Sequence, residues 1–288
     1  MGSELRELRL AGEVRSACGD DDLVMWVAQG LSGGARAWAL GDAVVAACPE
    51  VSRRDRLAVW GGPACAAELV RHALGELGPS FRPFGEVELV RAVTAALDGL
   101  EESGGFSWMS LGGGPDGHDA VGDAHAGGGP GDGCALGDGP LRDSALGESA
   151  LRGGALGEGG SGAVEWLGSG AEAEVAALLA ADAPESYAVP GVAGVRRWAG
   201  LRVGGELAAV AAEAWSAPTV GLLAGVATGA RFRGRGLAER VCRWVSRELV
   251  EACGRAALMV DDDNAAAITV YERIGYRRRR VLASHVAG

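Results

Sequence analysis

A long low-complexity segment, residues 112–162, interrupts the chain and limits how it can fold. It is rich in Gly, Asp, Ala and Pro and poor in large apolar side chains, so it cannot bury enough surface to offset the entropy lost on ordering. An Ala-Leu-Gly-Asp or Ala-Leu-Gly-Glu motif returns in it every ten residues, which is too short a period for a solenoid. We therefore predict a flexible linker between a first domain, residues 1–111, and a second domain, residues 163–288.

Charge and cysteine content argue against several classes of protein. The net charge of −11 argues against broad nucleic-acid binding, because phosphate contacts supply most of that affinity. No apolar run reaches the about 18 residues that a membrane span needs, and the charged start of the chain is unlike a signal peptide. The cysteines are not spaced as zinc or redox pairs. We expect a soluble, cytoplasmic protein with no metal, nucleic-acid or membrane partner; the sequence does not indicate its oligomeric state.

The first domain combines predicted strands with predicted helices. Its strands are short apolar or alternating runs separated by Gly and Asp. Its first helix opens with Pro63 and stops at Gly78. The predicted strands are 23–29, 36–40, 43–48, 56–60 and 105–111, and the predicted helices are 63–77 and 87–97. We interpret this part as a small α/β domain.

The second domain has the same mixture of elements. Its longest helix carries apolar residues at helical spacing on one side and charged residues on the other. The predicted strands are 163–167, 198–202, 206–215, 219–228, 257–260 and 276–284, and the predicted helices are 171–181, 234–253 and 264–274. This order predicts an α/β (α+β) fold with helices packed on a mixed sheet.

The most informative segment joins the strand 219–228 to the helix that follows it. Gly234 and Gly236 stand directly before that helix, so successive backbone N–H groups can converge on one anion at the positive end of the helix dipole. The loop is not a dinucleotide fingerprint, because Glu239 stands where a third glycine is needed, and it is not a nucleotide-triphosphate loop, because the chain has no lysine. On the glycines alone, an ordinary tight turn remains an alternative.

Two linked motifs resemble the GNAT (GCN5-related N-acetyltransferase) superfamily. Its coenzyme A loop reads Arg or Gln, two residues, Gly, one residue, and Gly or Ala, which Arg231, Gly234 and Gly236 fit. The segment 264–276 is similar to its second signature of asparagine, alanine, tyrosine and glycine-aromatic. The resemblance spans residues 163–286.

This resemblance implies a mixed, splayed sheet flanked by helices, with acetyl-CoA bound as acyl donor in the gap between two strands. The backbone of residues 226–228 is expected to pair with the pantetheine arm, and the amides of residues 232–237 to bind the pyrophosphate. Asn264 is expected to touch the cofactor, and Tyr271 to face the thioester sulfur. The predicted cofactor-binding residues are Val226, Ala227, Thr228, Arg231, Phe232, Arg233, Gly234, Arg235, Gly236, Leu237 and Asn264.

Transfer to an amine also needs a route for protons. At pH 7, only about one molecule in 10^3.4 of a lysine-like amine with a pKa of about 10.4 is neutral. Deprotonating it therefore costs roughly 4.6 kcal/mol of free energy. Many superfamily members carry a carboxylate on the strand before the loop, but residues 221–225 contain none. Glu213 is the first candidate base, although an outward, solvated carboxylate remains an alternative, and Asp261 and Asp262 are weaker candidates. Tyr271 is the candidate proton donor to the leaving thiolate.

The first domain resembles a degenerate copy of the same fold, as in tandem and FR47-like members, with Trp60-Gly61-Gly62-Pro63 between a strand and a helix. We expect an N-acetyltransferase that moves acetyl from acetyl-CoA to a small-molecule or peptide amine by direct attack in a ternary complex. Two alternatives stay open: a non-catalytic acyl-CoA binding or sensing protein, and a peptide N-terminal acetyltransferase. The sequence does not indicate the acceptor or the preferred acyl chain.

Overall fold

The structure is a computed structural model that describes residues 4–112 and 161–287. The predicted linker, with Cys134 and its ten-residue repeat, therefore lies outside the described residues except at its two ends. No helix in the two described ranges is long and apolar enough to cross a bilayer.

The first range begins with a short strand and two short helices, followed by strands that alternate with longer helices. Its strands are β1 (Arg6–Leu8), β2 (Arg36–Leu40), β3 (Ala43–Cys48), β4 (Arg56–Trp60), β5 (Arg82–Glu86) and β6 (Leu100–Leu111). Its helices are α1 (Ala11–Ala17), α2 (Asp22–Ala28), α3 (Pro63–Leu77) and α4 (Val87–Ala96).

The second range repeats much of that order. Its strands are β7 (Ser161–Trp166), β8 (Val195–Val203), β9 (Glu206–Ala214), β10 (Gly221–Thr228), β11 (Ala256–Val260) and β12 (Arg277–Val286). Its helices are α5 (Glu172–Asp182), α6 (Leu237–Cys253) and α7 (Ala265–Ile274). The predicted mixed α/β class is confirmed.

All twelve strands belong to one sheet, in the order β1-β2-β3-β4-β5-β12-β6-β11-β10-β9-β8-β7. The last strand of each half lies inside the other half's part of the sheet, because β6 pairs with β11 and β12 pairs with β5. The two exchanged strands also pair with each other along most of their length. The division into domains 1–111 and 163–288 stays a prediction, since the sheet is continuous across it.

One predicted strand is wrong. Residues 23–29 were expected to be extended, but Asp22–Ala28 form α2. Asp21 caps this helix, and its side chain accepts a hydrogen bond from the Val24 N–H at 3.0 Å. Every residue of the helix after Asp22 is buried, so the sequence shows a continuous apolar run without helical periodicity. Such a run does not distinguish a buried helix from a buried strand.

The helix α6 was predicted from local sequence signals, and the structure confirms it. Its buried face includes Leu237, Val241, Val245 and Leu249, which follow helical spacing. The helix ends at Gly254, whose φ of +82° is the left-handed conformation that favours glycine. α6 packs on β9 and β10 and thereby fixes the loop that precedes it.

A charged network joins the two halves of the chain. Arg279, on β12, donates to Asp21 at 2.5 Å and to Asp22 at 3.0 Å, both at the start of α2. The two aspartate side chains are only 11% and 18% exposed. Trp108 of β6 also donates to Asp22, at 3.0 Å. Without Arg279, two largely buried carboxylates would lie side by side without their cation.

We expect Arg279→Ala to lower the free energy of unfolding by about 2–3 kcal/mol, somewhat below the loss for a fully buried pair because the arginine is itself part-exposed. Urea unfolding at constant m-value measures the loss. Arg91→Ala is the control, because Arg91 pairs with Glu88 on the surface, where the side chains are 51% and 77% exposed, and such pairs contribute under about 1 kcal/mol. Equal losses in the two variants would contradict the role given to this network.

Candidate functional site

Two concave spaces meet near the middle of the sheet. The first, here called the cleft, has a volume of about 830 Å³ and lies between the end of β10, the loop before α6, and α7. The second, here called the sheet cavity, has a volume of about 500 Å³ and is lined by both halves of the chain. Both spaces are lined by Val226, Asn264, Ala267 and Tyr271, so these four residues mark the junction.

The cleft exists because two parallel strands part. β10 and β11 pair only at Gly221 with Ala256 and at Leu222 with Ala257. Beyond Leu222, β10 stays paired with β9 alone and carries a bulge at which Gly225 has a φ of +60°. The remaining edge of β10 therefore faces an open gap, as the resemblance implied for a splayed sheet.

The strand residues predicted to bind the cofactor line this gap. Val226, Ala227 and Thr228 all face the cleft. The Thr228 hydroxyl oxygen is buried and has no hydrogen-bond partner among the described residues. A buried polar atom without a partner is costly, so this atom fits a site that a polar ligand completes.

The loop before α6 is open toward the cleft. Gly234 and Gly236 have φ angles of +73° and +70°, and a Cβ added at either position would meet no atom within 4 Å. The first backbone hydrogen bond of α6 runs from the Arg240 N–H to the Gly236 carbonyl at 3.1 Å. Among the described residues, the N–H groups of 234–239 have no acceptor. The helix start thus presents free donors to an anion.

Two of the predicted amide donors must be corrected. The Phe232 N–H donates to the Gly229 carbonyl at 2.7 Å, and the Arg233 N–H donates to the Ala230 carbonyl at 3.3 Å, within a short 3₁₀ turn. These two amides already donate hydrogen bonds within the chain. The free backbone N–H groups are therefore those of residues 234–239 and not those of 232–237. Their side chains still line the cleft, as does Leu237.

The three arginines of the loop differ in their surroundings. Arg231 forms an ion pair with Glu206, and Arg233 pairs with Asp182 at 2.9 Å. Arg235 has no carboxylate partner within the described residues. The sequence did not distinguish these cases, because both carboxylates come from distant positions in the chain.

Asn264 and Tyr271 lie on α7 at the junction. The Asn264 side-chain oxygen accepts from the Ala267 N–H at 3.1 Å and so caps α7, which leaves its side-chain nitrogen for a ligand. Tyr271 is 8% exposed, and its hydroxyl has no hydrogen-bond partner among the described residues. Burial raises the pKa of Tyr271 well above 10, and the nearby Cys242 and Tyr276 raise it further. Tyr271 therefore stays protonated and can donate a hydrogen bond.

One wall of the cleft was not predicted from the sequence. Ala266, Val270 and Arg273 of α7 line it and follow one another at spacings of four and three residues, the mark of a single helix face. This stripe could have been found from the sequence, since Tyr271 already placed the helix at the site.

Glu213, the first candidate base, is not at the site. It is 3% exposed, and its two oxygens accept from Arg197 at 2.7 Å and Arg196 at 3.2 Å on the neighbouring strand. It lines neither the cleft nor the sheet cavity. Glu213 is therefore neither a base at the site nor a solvated carboxylate. It is a buried group that is paired with two arginines.

The two aspartates at the end of β11 also differ. Asp262 accepts from Ser107, Arg278 and Arg280 at 2.5–3.0 Å. Burial raises its pKa, but these three hydrogen bonds outweigh burial and hold the pKa below its usual value of 3.8. Asp261 is exposed, has no side-chain partner within the described residues, and lines the sheet cavity beside Asn264.

The first half lacks a matching cleft. Its parallel strands β4 and β5 stay paired over four positions, from Arg56 with Arg82 to Val59 with Gly85. At the start of α3, a Cβ built on Gly62 would lie 2.5 and 2.7 Å from the two carboxylate oxygens of Asp42. The place that an anion would take is therefore filled by the chain's own carboxylate.

Comparison with known proteins gives one family match. The family model described as FR47-like protein matches residues 199–283. These residues include β10, the glycine loop, α6 and α7, and so nearly the whole cleft. No curated protein matches the chain.

Several solved structures share the fold. A GCN5-related N-acetyltransferase from Sphaerobacter thermophilus is 12% identical, with 99% of this chain and 96% of that chain covered and a TM-score of 0.53. A GCN5-related N-acetyltransferase from Kribbella flavida is 19% identical, with 85% and 87% covered and a TM-score of 0.51. A Drosophila protein is 14% identical, with 99% of each chain covered and a TM-score of 0.52. The family match and the shared fold confirm the resemblance drawn from the sequence.

Proposed function

We propose, on the premise that the chain is a member of the GNAT superfamily, that it transfers acetyl from acetyl-CoA to an amine by direct attack in a ternary complex. The observation that carries this proposal is the gap between β10 and β11, with free helix-start amides at one end and Tyr271 where the gap meets a second cavity.

The cleft has the parts that acetyl-CoA binding requires. The amides of 234–239 and the positive end of the α6 dipole suit a pyrophosphate. The open edge of β10 at residues 226–228 suits the amide groups of a pantetheine arm, which can pair with it as a strand does. The bound thioester supplies the acyl group, and its sulfur would lie near the hydroxyl of Tyr271. The amine would enter from the sheet cavity.

The reaction needs two proton movements. The amine nitrogen attacks the thioester carbon and loses a proton, the carbon–sulfur bond breaks, and the thiolate gains a hydrogen bond or a proton. Tyr271 faces the sulfur and supplies the hydrogen bond. For the amine proton we propose Asp261 in place of Glu213, acting directly or through a water. Asp261 is exposed, unpaired by other side chains within the described residues, and lines the sheet cavity, as Tyr271 does.

We expect Asp261→Asn to lower kcat at pH 7 by about 10²-fold, as for loss of a general base. The defect should shrink as the pH rises toward the amine pKa of about 10.4, where the amine is already neutral. Glu213→Gln is the matched control, because it makes the same chemical change in a carboxylate outside both spaces. If Glu213→Gln were the slower enzyme across this pH range, the assignment of Asp261 would be withdrawn.

The function itself is tested with the full chain, acetyl-CoA and a pool of small amines and short peptides. Release of free thiol together with amines that gain the mass of an acetyl group is the expected result. Acetyl-CoA that binds tightly without thiol release, over the whole pool, would contradict catalysis and favour the acyl-CoA binding or sensing alternative.

We further propose that the first half is a degenerate copy of the same unit. It has four successively antiparallel strands, β1 to β4, followed by a helix, a parallel strand and a second helix. Its closed β4–β5 pair and the carboxylate of Asp42 at Gly62 leave no room for a second acyl-CoA. Its role would then be to complete the acceptor side of the sheet cavity.

A further inference from the structure

Three arginines from the first half, Arg54, Arg56 and Arg82, line the sheet cavity. Within the described residues, none of their guanidinium groups has a carboxylate within 4.0 Å. Arg255, which is buried, and Arg279, which is half-buried, each pair with an aspartate instead. Arg82 is exposed and Arg54 and Arg56 are half-buried, and grouped cations without counter-ions repel one another more strongly as water is excluded. The cluster therefore suits an anion that the chain does not supply.

Arg56 is the fixed member of the cluster. Its Nε donates to the Val51 carbonyl at 3.3 Å. Its guanidinium group lies 5.8 Å from the ring of Trp26 and 5.3 Å from that of Phe84. Burial, together with the charge of the neighbouring arginines, lowers its pKa to about 10. The group is thus oriented, while its terminal nitrogens have no acceptor among the described residues.

A loop of the second half reaches over this cluster. Arg54 donates to the hydroxyl of Tyr187 at 2.9 Å, which ties the loop to the first half. Glu185, on the same loop, and Asp261 are the carboxylates that line the sheet cavity, and both are exposed. Tyr271, which like Asp261 belongs to the second half, also lines the cavity. The first half therefore lines the sheet cavity with three arginines, and the second half lines it with Glu185, Asp261 and Tyr271.

The sheet topology sets the distance between the arginines and Asp261. β4 and β5 begin at the edge where β11 ends, because β5, β12, β6 and β11 are successively antiparallel. β5, which carries Arg82, is three strand spacings from β11, and β4, which carries Arg56, is four, or about 14 and 19 Å at about 4.8 Å each before the reach of the side chains. The stacked rings of Phe84 on β5 and Phe106 on β6 line the cavity, with centroids 6.2 Å apart. A ligand that reaches from the arginines to Asp261 needs a chain of several bonds over an apolar floor.

We propose that the acceptor is an anionic amine, in which a carboxylate or phosphate binds Arg56 with Arg54 and Arg82 while the amine reaches Tyr271. This inference rests on the proposed function and names its substrate class. ω-Amino acids with several methylene groups are the simplest members of that class, and ω-aminoalkyl phosphates of matching length are the phosphate counterpart.

The test compares ω-amino acids with n-alkylamines, and with ω-aminoalkyl phosphates, of equal chain length as acceptors for the full chain with acetyl-CoA. We expect kcat/KM to favour the acids by at least about tenfold, because each charge-assisted hydrogen bond adds affinity. The preference should grow as the chain lengthens, because only a longer chain lets the anion reach the arginines while the amine lies at Tyr271. Arg56→Met should reduce kcat/KM for the acids by about 10- to 100-fold and leave the alkylamines unchanged. Comparison of carboxylate with phosphate acceptors identifies which anion the site prefers.

Arg53→Met is the control, since Arg53 is exposed in the same segment and does not line the sheet cavity. If kcat/KM for the alkylamines equals that for the acids, or if Arg56→Met lowers both values equally, the inference is overturned. The proposed function would still stand in either case. Calorimetric binding of 5-aminopentanoate gives a readout without turnover. Wild type should bind it and Arg56→Met should not, and no binding to wild type would overturn the inference even if acetylation itself fails.

Discussion

Tyr271→Phe is expected to lower kcat by about 10²–10⁴-fold, the range of general-acid effects, while acetyl-CoA binds nearly as before. The reason is where the hydroxyl lies: the residue is 8% exposed, lines both the cleft and the sheet cavity, and has no hydrogen-bond partner among the described residues. Phenylalanine keeps the ring and its packing and removes that one group. Steady-state kinetics and calorimetry with acetyl-CoA separate the two effects.

The protonation state of Tyr271 sharpens this expectation. Because burial holds its pKa well above 10, full transfer of its proton to a thiolate whose pKa is about 8.5 is uphill. We therefore expect the hydroxyl to act mainly as a hydrogen-bond donor to the developing negative charge. The rate should show no alkaline decline from Tyr271 below about pH 10, since a group with a raised pKa keeps its proton up to that pKa.

Tyr276→Phe is the matched control. Tyr276 is also buried, its ring centroid is 5.9 Å from that of Tyr271, and its hydroxyl bonds to Ser246 at 2.8 Å, away from the cleft. Loss of that bond should cost about 1 kcal/mol of stability and leave kcat unchanged. A wild-type rate in Tyr271→Phe would remove the residue from the mechanism, and an equal decline in both variants would indicate a packing effect.

Features that depend on a short stretch of chain could be predicted from the sequence. The glycine loop, the helix after it and the position of Tyr271 on α7 all follow from neighbouring residues, because helical spacing and cap residues are local. The stripe of Ala266, Val270 and Arg273 belongs to the same class of signal.

Features that depend on which strands pair with each other could not be predicted from the sequence. Glu213 faces two arginines of β8 instead of a ligand, and strand alternation alone does not say which face is lined by cations. The exchange of β6 and β12 brings Arg56 and Asp261 into one cavity although they are far apart in the chain. The apolar run at Leu23 folds as a buried helix, which its continuous apolar pattern could not distinguish from a buried strand.

Gly236→Leu is expected to weaken acetyl-CoA binding by about 100-fold. Gly236 stands at the start of α6 with a φ of +70°, and a Cβ there would extend into the open space of the cleft. A leucine would take the volume proposed for the pyrophosphate. If it displaces two charge-assisted hydrogen bonds worth about 1.5 kcal/mol each, the loss is about 3 kcal/mol, or roughly 100-fold in Kd.

The same helix provides the control for backbone strain. Gly254, at the far end of α6, has a φ of +82°, and a Cβ there also meets nothing within 4 Å. Gly254→Leu should therefore carry a similar strain of about 1–2 kcal/mol without entering the cleft. We expect both variants to show a similar decrease in Tm, measured by thermal unfolding, and Gly236→Leu alone to lose acetyl-CoA in calorimetry. Unchanged binding in a folded Gly236→Leu protein would mean that the phosphates do not lie on this helix start, and the gap between β10 and β11 would need another ligand.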